Sequence, residues 1–187
     1  MRLTKFIAIL LLVTGFGLSS SLAQNFSESY KFLKAVKELK YQDIKMAIEK
    51  GVNINTRDYD DQTTALIKAV RMKEAPLAKY LLGNGAKPDL VGKDGKTALV
   101  IAAEFGDRAL VAILLEFKAD IDLADNNGTT PLIAAVYANN RRVAKLLLKA
   151  GADFTLEDYS GRTALQHAID DKRRRLEIIL KDAGATQ

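Results

Sequence analysis

Apolar residues along this chain fall into short clusters of helical spacing, and the clusters recur with a fixed period. A seven-residue phrase opening with threonine returns every 33 residues: TALIKAV at Thr64, TALVIAA at Thr97, TPLIAAV at Thr130 and TALQHAI at Thr163. Leu66, Leu99, Leu132 and Leu165 stand two places after the threonine, and Ala69, Ala102, Ala135 and Ala168 five places after it. A second cluster follows in each copy. Residues thirteen, sixteen and seventeen places on, such as Leu110, Ile113 and Leu114, share one face of a helix. Two further columns are unbroken, Leu81, Leu114, Leu147 and Leu180, then Ala86, Ala119, Ala152 and Ala185. A period of this length marks an array of one supersecondary unit, which buries its apolar face only against its neighbours.

Each unit reads as helix, turn, helix and extended loop. The threonine is a good N-cap for the first helix, and Pro131 sits at a first helical position, where a missing N–H costs nothing. Gly85, Gly151 and Gly184 can take the left-handed conformation that stops the second helix, whereas Lys118 stands at that place in one unit. Gly95, Gly128 and Gly161 mark tight turns at the loop tips. A degenerate copy comes before: Leu33, Val36, Ile44 and Ile48 are in phase with Leu66, Ala69, Leu77 and Leu81. There Gly51 arrives one residue early, and the loop at 56–62 is one residue longer.

These units resemble the ankyrin repeat, whose 33-residue pattern contains T-P-L-H-x-A-A and, later, L-L-x-x-G-A-D. The resemblance covers nearly all of residues 24–187. It implies an all-α ankyrin-repeat solenoid of about five helix-turn-helix units joined by extended finger loops. The expected units are 27–63 (N-terminal cap), 64–96, 97–129, 130–162 and 163–187 (C-terminal cap). Polar end faces suit the caps: Lys31, Lys34, Lys37 and Lys40 come first, and Lys181 replaces Leu82, Leu115 and Leu148 in the last helix. One departure concerns the family histidine that links neighbouring loops, replaced here by Ile67, Val100, Ile133 and Gln166.

The N-terminus has a different pattern. Arg2 and Lys5 precede an apolar run from Phe6 to about Leu18, and Ser21 and Ala23 precede Gln24. That is the layout of a secretory signal peptide spanning 1–23, cut after Ala23. The run is shorter than the roughly 20 residues a helix needs to cross a bilayer, so no stable membrane anchor is expected after cleavage. A periplasmic or secreted location and a monomer are the expectation. Cleavage would remove two basic residues and no acidic one, leaving 26 Lys and Arg against 23 Asp and Glu. A surplus that small, with no basic stripe interleaved with aromatics, argues against a nucleic-acid partner. There is no cysteine, so burial alone must hold the fold.

Catalytic chemistry finds little support. Gly95-Lys96-Thr97 ends like a phosphate-binding loop, but Leu90 stands where that motif needs glycine. His167 is the only histidine, and without cysteine the usual zinc ligand sets cannot form. Asp58, Asp60 and Asp61 lack the glycine and distal glutamate of a calcium loop. No metal, cofactor or enzymatic activity is expected. The run Lys172, Arg173, Arg174 and Arg175 reads as a solvated cap, or as a site for an acidic or lipid partner.

In arrays of this kind, partners bind the groove lined by loop tips and first helices. Carried onto this chain, the tips offer Tyr59, Lys93, Asp94, Lys96, Asn126, Asn127, Tyr159 and Arg162. Seven and eight places after each threonine, the first helices offer Arg71 and Met72, Glu104 and Phe105, Tyr137 and Ala138, Asp170 and Asp171. Large aromatics and arginines at such places suit interface anchors. The expected partner is another protein, an exported or periplasmic enzyme that this chain inhibits or, alternatively, supports as an accessory factor.

Overall fold

The computed structural model describes residues 19–186. The apolar run expected to belong to a signal peptide lies outside the described residues, and the cleavage point after Ala23 falls within the first described helix. The chain divides after Thr56 into two compact units. In the first, α1 (Ser19–Lys37) packs on α2 (Tyr41–Glu49). Of the in-phase apolar positions of the degenerate copy, Leu33, Val36 and Ile44 are buried and Ile48 is half-buried, and Phe32 and Ala35 of α1 are buried beside them.

The second unit, residues 57–187, contains four helix pairs: α3 (Ala65–Arg71) with α4 (Ala75–Gly83), α5 (Ala98–Glu104) with α6 (Arg108–Glu116), α7 (Pro131–Tyr137) with α8 (Arg141–Lys149), and α9 (Ala164–Asp170) with α10 (Arg174–Asp182). First helices stack in one layer, α3 on α5, α5 on α7 and α7 on α9. Second helices form the other, α4 on α6, α6 on α8 and α8 on α10. Each element is thus held mainly by its partner and its neighbours in the stack.

Local chemistry sets the boundaries. Every repeat threonine caps its first helix: Thr64, Thr97, Thr130 and Thr163 accept from the N–H of Ile67, Val100, Ile133 and Gln166 at 3.2–3.3 Å. The residues that replace the family histidine are therefore the donors of these caps. Asp107 and Asn140 cap α6 and α8 in the same way. Between the two helices of each pair one residue is left-handed: Lys73, Gly106, Asn139 and Lys172 have φ of 52° to 65°. Gly106 and Asn139 suit that conformation, whereas Lys73 and Lys172 do not announce the turn in the sequence.

Small and large residues divide the core between them. Ala69, Ala102, Ala135 and Ala168 are fully buried, and having no side chain beyond Cβ they let first helices approach closely. Leu81, Leu114, Leu147 and Leu180 are also fully buried and fill the space under the second helices. Each such leucine contributes about 2 kcal/mol by leaving water. Lys118 has φ 61°, the conformation its glycine counterparts Gly85 and Gly151 adopt, at a cost of about 1 kcal/mol for a residue with a side chain.

The fingers close through backbone bonds, from the N–H of Asp58, Asp125 and Asp158 to the carbonyls of Thr63, Thr129 and Arg162 at 2.9–3.1 Å. Neighbouring loops are joined without the family histidine. Lys93 N–H donates to the Asp61 carbonyl (3.2 Å) and Tyr159 N–H to the Asn127 carbonyl (3.0 Å). Lower down, the N–H of Asp120 and of Asp153 donate to the carboxylates of Asp89 and Asp122, both at 2.9 Å. Gly95 belongs to this contact: with φ 73°, a Cβ there would come within 2.7 Å of the Asn126 backbone nitrogen.

Candidate protein-binding surface

All residues expected to meet a partner lie in the second unit, and none is buried. Tyr59, Arg71, Lys93, Asp94, Phe105, Asn126, Asn127, Tyr137 and Tyr159 are exposed; Met72, Lys96, Glu104 and Arg162 are half-buried. Their charges are largely paired between finger and first helix. Arg71 meets Asp94 at 3.1 Å, Lys96 meets Glu104, and Arg162 meets Asp170 at 3.6 Å. A partner would therefore encounter three finger-to-helix ion pairs together with the exposed ammonium of Lys93, with the aromatics standing out among them.

Those aromatics differ in freedom. Tyr159 is 81% exposed at its finger tip, beside Gly128, where any Cβ would strike its ring at 2.8 Å. Phe105, 43% exposed, caps the C-terminus of α5 with the Lys73 ammonium 5.3 Å from its ring centre, a cation–π contact. Tyr137 has the same exposure but is tied down. Its hydroxyl donates to Asp158 Oδ2 at 3.3 Å and lies 3.2 Å from His167 Nε2, and its ring leans on the imidazole with centres 4.4 Å apart.

Underneath, His167 and Asp158 form a buried pair, Nε2 to Oδ2 2.7 Å. The other carboxylate oxygen accepts the N–H of Ser160 and Arg162, at 2.9 and 3.2 Å, and the Ser160 hydroxyl. Burial pushes the Asp158 carboxyl up, but the hydrogen bonds from Ser160, His167 and the Arg162 N–H outweigh it and hold it well below the usual carboxylate range. Burial, and next the Asp158 charge, push the Tyr137 phenol up.

Residues at repeat periodicity to this pair explain it. Lys68 occupies the place of His167, four after the threonine, and is also largely buried, reaching Asp58 at 3.0 Å and Asp61 at 3.4 Å. Burial raises both carboxyls, and hydrogen bonds together with the Lys68 charge more than offset it. The inner units carry Ile101 and Ala134 at that place, both buried. The first and last helix pairs of this unit thus pin a finger aspartate to the first helix. The sequence signal was the polar residue in an otherwise apolar column. Among the described residues no group of His, Asp and Glu is arranged to hold a metal ion.

With helix pairs, capping threonines and hydrogen-bonded fingers repeating every 33 residues, the comparison with known families is direct. Residues 73–158 match the family model for ankyrin repeats, in three copies. No curated protein matches the chain. Ankyrin repeats indicate a protein–protein interaction module and are typically non-enzymatic. The matched ankyrin segment holds Lys93, Asp94, Lys96, Glu104, Phe105, Asn126, Asn127 and Tyr137, and stops one residue before Tyr159. Helix α3 before the matched segment, and the pair α9–α10 after it, repeat the same helix-pair arrangement.

Proposed function

We propose that this chain is an exported binding module whose partner, an exported or periplasmic enzyme, docks on the fingers and first helices of residues 57–187 and is inhibited there. The observation that carries the reading is the presence of exposed Tyr59, Phe105 and Tyr159 on that side, since the buried leucine and alanine columns already account for the packing of the repeats. Large rigid aromatics lose little conformational freedom on binding and supply most of the energy of compact interfaces. The finger bonds and ion pairs hold this surface in one arrangement before the partner arrives, which lowers the entropic cost of docking. Export rests on the charged start, the short apolar run and the small residues before Gln24.

Expression in a Gram-negative host with a C-terminal tag, followed by fractionation and N-terminal sequencing, tests the proposal. The expected product is periplasmic, begins at Gln24 and carries a co-purifying exported enzyme whose activity rises when the complex is dissociated. An uncut cytoplasmic chain would refute export, and an enzyme as active in the complex as when free would refute inhibition.

A further inference from the structure

We propose that the turn edge of the last three helix pairs is a second interaction surface, which binds anionic lipid headgroups. Arg108, Arg141 and Arg174 are the first residues of α6, α8 and α10, one repeat apart, and Arg142 and Arg175 follow the latter two. All five are exposed, and among the described residues none has a carboxylate within ion-pairing distance. The acidic side chains of the same region are engaged elsewhere. Asp107 caps α6, Glu116 pairs with Lys79 at 3.5 Å, Asp171 with Arg173 at 3.0 Å and Glu177 with Lys181 at 2.7 Å. Arg173 itself is not part of the surface, because it turns inward to the Val136 carbonyl.

Among the described residues, no ion pair of the fold uses these arginines. A cation in the first turn opposes the helix dipole, and α4 begins with Ala75 and Pro76 at the same place. An anion bound by the guanidinium groups beside these helix starts offsets that conflict. Because α6 packs on α8 and α8 on α10, the row is about 20 Å long at the usual 8–10 Å between packed helices. Lys145 and Lys149 extend it along α8 at four-residue intervals from Arg141.

A sheet of phosphodiester groups suits such a row better than a folded acidic partner or a nucleic acid. The cations are regularly spaced and delocalised along an edge, and guanidinium binds phosphate through paired N–H donors. Ile178, half-exposed one turn after Arg174 and Arg175 on the same face, would rest among headgroups, whereas a phosphate backbone offers it nothing. Five exposed arginines acting together give reversible, salt-sensitive attachment.

The test sediments the full-length chain with vesicles of phosphatidylcholine alone, and of phosphatidylcholine with phosphatidylglycerol in equal parts. The binding added by phosphatidylglycerol is expected to fall at least about tenfold in Arg141→Gln/Arg142→Gln/Arg174→Gln/Arg175→Gln, and to vanish for both proteins at high salt. Reading only the added part removes any contribution from the N-terminal apolar run, which the two proteins share. Should the fourfold variant lose its helical circular dichroism, Arg174→Gln/Arg175→Gln gives the same readout with an expected loss of severalfold. Equal binding of wild type and folded variant would overturn the proposal, as would no gain from phosphatidylglycerol. Binding of duplex DNA or polyglutamate markedly tighter than binding to the phosphatidylglycerol vesicles, at equal charge and the same salt, and lost in the same variant, would overturn the lipid assignment in favour of that class of partner.

Discussion

Replacing Leu147 by alanine is expected to lower stability by about 2–5 kcal/mol, and Leu114→Ala by a similar amount. Both side chains are fully buried, in α8 and α6, and each of those helices packs on second helices on both sides. Truncation removes apolar contact and leaves a cavity that the rigid neighbours fill only in part. In a stack where each repeat leans on the next, a defect at the middle weakens two interfaces at once, so the loss is not confined to one helix pair. Urea unfolding followed by circular dichroism should show the midpoint fall. Reducing agent should leave both proteins unaffected, because the chain has no cysteine. A loss below 1 kcal/mol at both positions would contradict the packing described.

Asp158→Ala is expected to cost about 3 kcal/mol at neutral pH, because it strips hydrogen-bonding partners from His167, Tyr137, Ser160 and two backbone N–H groups at once. The pH dependence has a definite sign. The folded-state pKa is depressed, so the stabilisation is complete above the unfolded carboxyl value of about 3.9 and is lost as pH falls below it toward the folded value. The difference in melting temperature between wild type and variant should therefore be smaller at pH 3 than at pH 6. A constant difference across that range would mean that the ionised carboxylate is not what holds finger and helix together.

The columns of threonine, leucine and alanine carried the architecture plainly in the sequence, since the capping hydroxyl, the close-approach alanine and the core leucine each have one physical role at one place in the period. Features resting on tertiary contact were not legible. Lys73 and Lys172 adopt left-handed turns that their side chains do not advertise, because position in the helix pair forces the conformation. His167 reads in isolation as a packing or surface residue. Only the fold brings it to Asp158, and only the comparison with Lys68 shows that the same place serves two kinds of pair. Tyr137, which the sequence suggests as a free anchor, proves to be the outer member of that buried cluster, so an alanine there would disturb the fold together with any interface. Phe105 and Tyr159 are free of this complication.

The most direct measurement of the central claim is therefore the affinity of the co-purified exported partner for wild-type protein and for Phe105→Ala/Tyr159→Ala, with Lys79→Ala/Glu116→Ala as control on the second-helix face. Titration calorimetry should give about 30-fold or greater weakening for the aromatic pair, corresponding to roughly 2 kcal/mol, no change for the control, and unaltered melting temperatures. Equal affinity of wild type and the folded aromatic variant, or a comparable loss from the control pair, would contradict binding through the fingers and first helices.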